Sequence, residues 1–264
     1  MKNLMIFISP TKSFDTGGFN NAFDGESESE KLVKVQIDNS LALGWDINDI
    51  LLVTNFEYEY NGVKAKVVSD DNYCEFSPTA SKINTIITLI EEGIEGWYWF
   101  HDFDAFQLVP FDVPDLKDNE IGITTHGTSV INEKRGHRWS TGILFFTSDS
   151  KDIFEEIKVE VYKYVTNEEI ALLEMLRKRR NKPYKDRIIK LNITHNLATR
   201  KRFIKETYEM ADKPLKVIHF HPFDDRPTTE GGNNMEVCVY GENWLGKPLV
   251  TDSLIEIFKK HGIK

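Results

Sequence analysis

The chain has 264 residues, 40% of them hydrophobic and 12% aromatic, with a formal net charge of −9. That is enough for one large α/β domain or two small ones, and it excludes a surface adapted throughout to nucleic acid, though not a single basic face. No apolar run reaches bilayer length, no charged-then-apolar leader opens the chain, and the two cysteines, Cys74 and Cys238, are too few for a disulfide framework; they are expected to be small core residues of a cytoplasmic protein.

Residues 4–9 read as a first strand, followed by a polar loop from Pro10 to about Ser29. A helix is predicted over 30–43, with Val33, Ile37 and Leu41 on one face and Gly44 to end it. Residues 50–54 form a buried strand, and 63–68 a further strand after the Asn61-Gly62 turn. Ser81 is a candidate cap for a helix carrying Ile83, Ile86, Ile87 and Ile90, ended by Gly93. The run Trp97-Tyr98-Trp99-Phe100 then reads as a strand covered on both faces, with Trp97 and Trp99 in the core. This switching between period 2 and period 3.6 predicts an α/β fold: a mixed, mostly parallel central sheet flanked by helices.

Further on, 121–124 and 142–146 read as strands and 150–164 as a helix presenting Ile153, Ile157, Val161 and Tyr164. A second helix starts at Thr166 or Asn167 and carries Ile170, Leu173 and Leu176. A basic stretch over 177–190, continued by Arg200, Lys201, Arg202 and Lys205, precedes a late strand at 217–220. Thr251 or Ser253 caps a final helix through Leu254 and Phe258. One continuous domain over 1–264 is the preferred division.

The aromatic strand ends abruptly in His101-Asp102-Phe103-Asp104. Ligands of open α/β sheets bind just beyond the carboxyl ends of strands. Two carboxylates that close repel each other unless a cation lies beside them, and oxygen ligands of this kind suit Mg²⁺ or Mn²⁺ shared with substrate phosphates. His219 and His221 follow another apolar strand; two residues apart, they point to one side, so spacing does not separate them.

Five segments occur in a telling order. Lys82 opens the helix before the D-x-D strand. After that strand comes Trp139-Ser140-Thr141-Gly142 with an apolar run, then Asn167-Glu168-Glu169 at a helix start, and last His219-Phe220-His221-Pro222-Phe223 with Arg226-Pro227. In this order they resemble the GT-A class of nucleotide-sugar-dependent glycosyltransferases, and most the glycogenin and galactosyltransferase type. The resemblance spans most of the chain and is specific at the D-x-D strand and the late histidine. The chain departs from the type in lacking the asparagine of an Asn-Ser-Gly motif and a final Lys-Pro-Trp, and its loop over 11–28 is longer and more polar.

The resemblance implies a GT-A, Rossmann-like sheet, with a nucleotide-sugar-binding part over about 1–125 and an acceptor-binding part over about 126–264. It implies transfer of a sugar from a nucleoside diphosphate donor, a UDP-sugar, to a hydroxyl, with retention of configuration. Mn²⁺ or Mg²⁺ would be held by Asp102, Asp104 and either His219 or His221, with Asp102 also at the donor ribose. Lys82 and Arg226 would meet phosphate oxygens, and Ser140 and Gly142 would border the donor. Asp104, Glu168 and Glu169 are the expected catalytic set, one glutamate accepting a hydrogen bond from the sugar or acceptor; both also suit the positive end of a helix dipole. Trp139 is either core or a stacking platform. The basic region, 177–205, is either a solvated face or a surface for a polyanionic acceptor, including the hydroxymethylated DNA that some bacteriophage glycosyltransferases modify. Two other readings use the same residues: a phosphoesterase built on Asp102, Asp104, His126, His219 and His221, and a non-catalytic nucleotide-sugar-binding protein.

Overall fold

The computed structural model describes residues 1–15, 27–126, 139–178, 182–198, 204–223 and 234–263. In chain order the strands are β1 (Lys2–Phe7), β2 (Ile50–Thr54), β3 (Glu59–Tyr60), β4 (Val63–Lys64), β5 (Lys66–Val67), β6 (Tyr98–His101), β7 (Ala105–Gln107), β8 (Ile121–Thr125), β9 (Trp139–Phe146), β10 (Ile188–Lys190), β11 (Leu197–Ala198) and β12 (Val217–His219). The helices are α1 (Glu28–Ala42), α2 (Ser81–Glu91), α3 (Lys151–Tyr164), α4 (Glu168–Arg177), α5 (Lys182–Lys185), α6 (Ile204–Met210), α7 (Asn234–Cys238) and α8 (Asp252–Lys260).

Seven strands form the central sheet in the order β10-β8-β9-β6-β1-β2-β5. All its pairings are parallel except those of β9, which runs antiparallel to both β6 and β8. Parallel neighbours need long crossovers, and α1 and α2 lie in the connections that lead to β2 and β6. Alternate residues of each strand enter opposite faces. Leu4, Phe100 and Leu144 pack with Ile83, Ile86, Phe154 and Leu172 of α2, α3 and α4. Met5 and Leu52 pack on the other face with Val33 and Ile37 of α1. A three-stranded sheet, β11-β12-β7, adjoins that second face, and its Phe106 and Ile218 pack with Val35 of α1 and Phe258 of α8.

Four local expectations change. The stretch 63–68 is broken at Ala65: β4 pairs with β3, while β5 pairs with β2. Ser81 is not a cap; a tight turn over Pro78–Ala80 leads into α2, and the Ser81 hydroxyl accepts from the Cys74 backbone N–H. The late strand ends at His219 and lies in the small sheet, antiparallel to β7. On α4 the buried positions are Glu168, Ala171, Leu172 and Met175, whereas Ile170 is 48% exposed. A buried glutamate in the first turn sets the phase of this helix, so its packed face departs from the apolar set Ile170, Leu173 and Leu176. Elsewhere the caps are as expected, with Asn167 accepting from the Ile170 N–H and Thr251 from the Leu254 N–H. Among the described residues, no helix is long and apolar enough to cross a membrane.

Candidate active site

Why the D-x-D segment bends where it does follows from its neighbours. All of β6 is buried, and the Asp102 N–H still donates to the Gly142 carbonyl at 2.8 Å, as a continuation of the β6–β9 ladder. The chain then turns: the Ala105 N–H donates back to the Asp102 carbonyl at 3.1 Å. From the α1 side the Gln36 amide donates to the carbonyls of Phe103 and Ala105 at 2.7 and 3.0 Å, which pins the turn. The emerging β7 pairs with β12 so that Ala105 faces His219, and the Phe220 N–H donates to the Asp104 carbonyl at 2.9 Å. A histidine 115 residues away in sequence thus arrives beside the carboxylates, its Nε2 3.0 Å from Asp104 Oδ1.

Asp102, Asp104 and His219 each offer a ligand atom, and these atoms lie within 4.8 Å of one another. Gly142 makes the approach possible. A Cβ there would sit 2.4 Å from His219 Cε1 and 3.0 Å from Asp102 Oδ2. The other Asp102 oxygen, Oδ1, accepts from Lys82 at 3.0 Å. Lys82 is almost fully buried, and its ammonium also meets the Thr141 carbonyl at 3.3 Å and Glu168 Oε1 at 3.2 Å. Glu168 is saturated in turn by the hydroxyls of Thr141 and Thr79, each at 2.9 Å.

The electrostatics follow this wiring. Burial penalises the Lys82 charge, but Asp102 and Glu168 outweigh it and hold the ammonium above the ordinary lysine range. Burial and the Asp104 charge push the Asp102 carboxyl up, against the pull of Lys82. Asp104 is also shielded, yet His219 overrides that and holds its carboxyl well below the usual range; His219 is raised in return. Glu168 is lowered because Lys82 and its hydrogen bonds outweigh burial. His101 belongs to the core instead: burial brings it down to about 4, its Nε2 meets Asn3 Oδ1 at 2.8 Å, and it stacks on Trp99.

These three residues fit a divalent cation. Two carboxylates and one imidazole converge, Asp102 Oδ2 lies beside the space that the missing side chain at Gly142 leaves, and no donor meets it among the described residues. A carboxylate–imidazole set suits Mn²⁺ somewhat better than Mg²⁺. Asp102 and Asp104 open onto a cleft of about 580 Å³, whose lining includes Ile8, Tyr73, Lys82, Phe103 and His221.

The remaining candidates fall in different places. His221 lies past the end of β12, exposed, on the cleft wall rather than in the three-residue cluster. Glu169 is one-third exposed; its Oε1 accepts from the Thr141 N–H at 3.2 Å and lies 3.1 Å from His126 Nε2. Ser140 is buried, and its hydroxyl accepts from the Asn196 amide at 3.0 Å. Trp139 is buried in β9. Arg226 and the loop over 16–26 lie outside the described residues. In the basic stretch, Arg177 pairs with Glu174, Lys178 with Glu160 and Arg187 with Asp152, so these three cations serve the protein's own acids and lend no support to a DNA acceptor; 179–181 and 199–203 are outside the described residues.

No protein-family model matches the chain, and no curated protein matches it by sequence. Solved structures do. The galactosyltransferase LgtC, in complex with donor and acceptor sugar analogues, is 14% identical with a TM-score of 0.50, over 83% of this chain and 87% of that one. An active-site mutant of LgtC gives a TM-score of 0.51 at the same identity and coverage. The apo form of the glycosyltransferase GlyE of Streptococcus pneumoniae TIGR4 is 12% identical with a TM-score of 0.50, over 100% of this chain and 64% of that one. The chain has the GT-A fold. In a GT-A frame the cluster lies where the parallel strands β1 and β6 end, the usual position for a ligand in an open α/β sheet. Sequence reasoning missed Asn196, whose amide reaches Ser140, Thr124 and His219. No motif marks it; only the junction of the two sheets reveals it.

Proposed function

We propose that the chain is a metal-dependent glycosyltransferase that moves a sugar from a nucleoside diphosphate donor, a UDP-sugar, to a hydroxyl acceptor. One observation carries this reading: Asp102, Asp104 and His219 converge within 4.8 Å at the edge of a cleft, in a GT-A fold. Asp102, Asp104 and His219 would hold the cation between them. The cation, when bound, supplies a Lewis acid that neutralises charge growing on the departing diphosphate.

The protein's own groups do the rest. Lys82 keeps a permanent positive charge in the cleft wall, and Glu168 and Asp102 stop it from swinging. Arg226 is the candidate for a second contact to the diphosphate. His221 lines the cleft next to Asp104 and is suited to a polar contact with the donor rather than to ligation. Glu169, aimed by the Thr141 N–H and His126 and one-third exposed, is the carboxylate placed to accept a further hydrogen bond from the sugar or the acceptor hydroxyl. Gly142 borders the donor by having no side chain, while Ser140 acts behind the site. Two buried free thiols suit a reducing, cytoplasmic setting.

A donor-hydrolysis screen tests the proposal. With Mn²⁺ and no acceptor, one of a panel of UDP-sugars is expected to release UDP slowly, and chelation or Asp104→Ala to abolish that release. Cleavage of a chromogenic phosphodiester with every nucleotide sugar left intact would overturn it in favour of a phosphoesterase.

A further inference from the structure

His219 has two ring nitrogens, and they face different partners. Nε2 lies 3.0 Å from Asp104 Oδ1, while Nδ1 lies 3.1 Å from Asn196 Oδ1. Asn196 is fully buried. Its amide nitrogen donates to Thr124 Oγ1 at 2.9 Å and to Ser140 Oγ at 3.0 Å. Both amide protons are therefore used, and the amide oxygen is turned to the imidazole. That oxygen can only accept, so a proton stays on Nδ1, and Nε2, on the Asp104 side, is the nitrogen whose lone pair a cation would take up.

The backbone is arranged to deliver these partners. Between Ile123 and Thr124 the β8–β9 register jumps, with Ile123 opposite Leu144 but Thr124 opposite Ser140. Irregularities of this kind re-aim side chains. Here the jump sets two hydroxyls opposite each other on the central sheet, and Asn196 reaches them from just before β11. Through Asn196 the central sheet holds a residue of the small sheet.

We propose that Asn196 is a positioning residue that fixes the tautomer and orientation of His219, with Thr124 and Ser140 orienting Asn196. Outer hydrogen bonds of this type typically change metal affinity by about 10- to 100-fold when lost. The inference rests on the metal-binding reading above, and it deepens it by assigning the support for one ligand.

Mn²⁺ titration followed by the free-ion EPR signal tests it without any need for turnover. Asn196→Leu keeps the branched shape and removes the acceptor, so its Mn²⁺ affinity is expected to fall by about 10- to 100-fold. Asn196→Asp keeps an acceptor at Nδ1 and lets the two hydroxyls donate, so its affinity is expected to stay within about 3-fold of wild type. Thr124→Val, which removes one orienting hydroxyl, is expected to weaken binding by about 3-fold and decides the matter if Asn196→Leu does not fold. Wild-type affinity in Asn196→Leu, or in Thr124→Val where the leucine variant does not fold, overturns the inference alone, as does equal weakening in Asn196→Leu and Asn196→Asp. A wild-type protein that takes up no Mn²⁺ overturns the metal-binding reading and the inference together.

Discussion

Two carboxylates, one buried and one at the cleft, organise two networks of opposite character. Asp38 on α1 accepts from Asn61 at one oxygen, at 2.6 Å, and from Tyr60, Lys260 and His261 at the other, at 3.2, 2.6 and 2.7 Å. Both oxygens are filled, and the network fastens the β3–β4 hairpin and α8 to α1. Burial works against this charge, but Lys260 and His261 prevail and hold the carboxyl below its usual range. Asp102 has one oxygen on Lys82 and one facing Gly142 and His219 with no donor among the described residues, and its carboxyl is pushed up. A saturated carboxylate ties elements together. An unsaturated one beside a second carboxylate carries repulsion that a cation relieves. Unfilled acceptor capacity at a cleft separates a site from a lock.

The sharpest way to break this contrast is to remove one carboxylate from each network. Asp102→Ala is expected to cut metal-dependent turnover of the donor by about 100-fold or more while leaving the melting temperature within about 2 °C of wild type or raising it, since its carboxyl is pushed up by burial and by Asp104 and Lys82 keeps Glu168 as a partner. Asp38→Ala should do the reverse, costing about 2 kcal/mol in urea unfolding with Mn²⁺ affinity unchanged within about 2-fold. Identical profiles for the two variants would erase the distinction.

Gly142→Ala strikes the site through space rather than charge. Its Cβ must displace His219 or Asp102, so a loss of about 1–3 kcal/mol in unfolding should accompany a fall of about 10-fold in Mn²⁺ affinity. Unfolding curves and metal titration of one preparation give both numbers, and unchanged affinity contradicts the packing account.

The smallest effect concerns pH. The Asp38 carboxyl is lowered in the folded protein, so its contribution is present above the ordinary carboxylate value of 3.8 and is lost as pH falls below it. Asp38→Asn should therefore be less stable than wild type by about 1 kcal/mol at neutral pH, and the two should converge as acidification protonates the wild-type group. Urea unfolding at pH 7 and pH 3 checks this, and a gap that stays constant argues against Asp38 as a charged lock.

What was legible in the sequence was what local periodicity controls. The α/β alternation, the apolar strand closing on Asp102 and Asp104, and strand 50–54 could all be read from the residues, and the caps Asn167 and Thr251 match the structure. What escaped depends on partners remote in sequence. Glu168 turns inward because Lys82 and two threonines receive it, which rotates α4 away from its apolar pattern. β12 joins β7 and not the central sheet, and this brings His219, but not His221, into the cluster; alternation along a strand had left the two equivalent. Asn196 carries no pattern at all, since its role exists only where two sheets meet.

Calorimetric titration of UDP into the protein, with and without Mn²⁺, bears on the metal site and the donor at once. Binding by wild type is expected to require the metal, to be lost in Asp104→Ala and to be retained in Asp38→Asn. UDP bound equally well without Mn²⁺, or equally well by Asp104→Ala, would contradict the metal-binding reading.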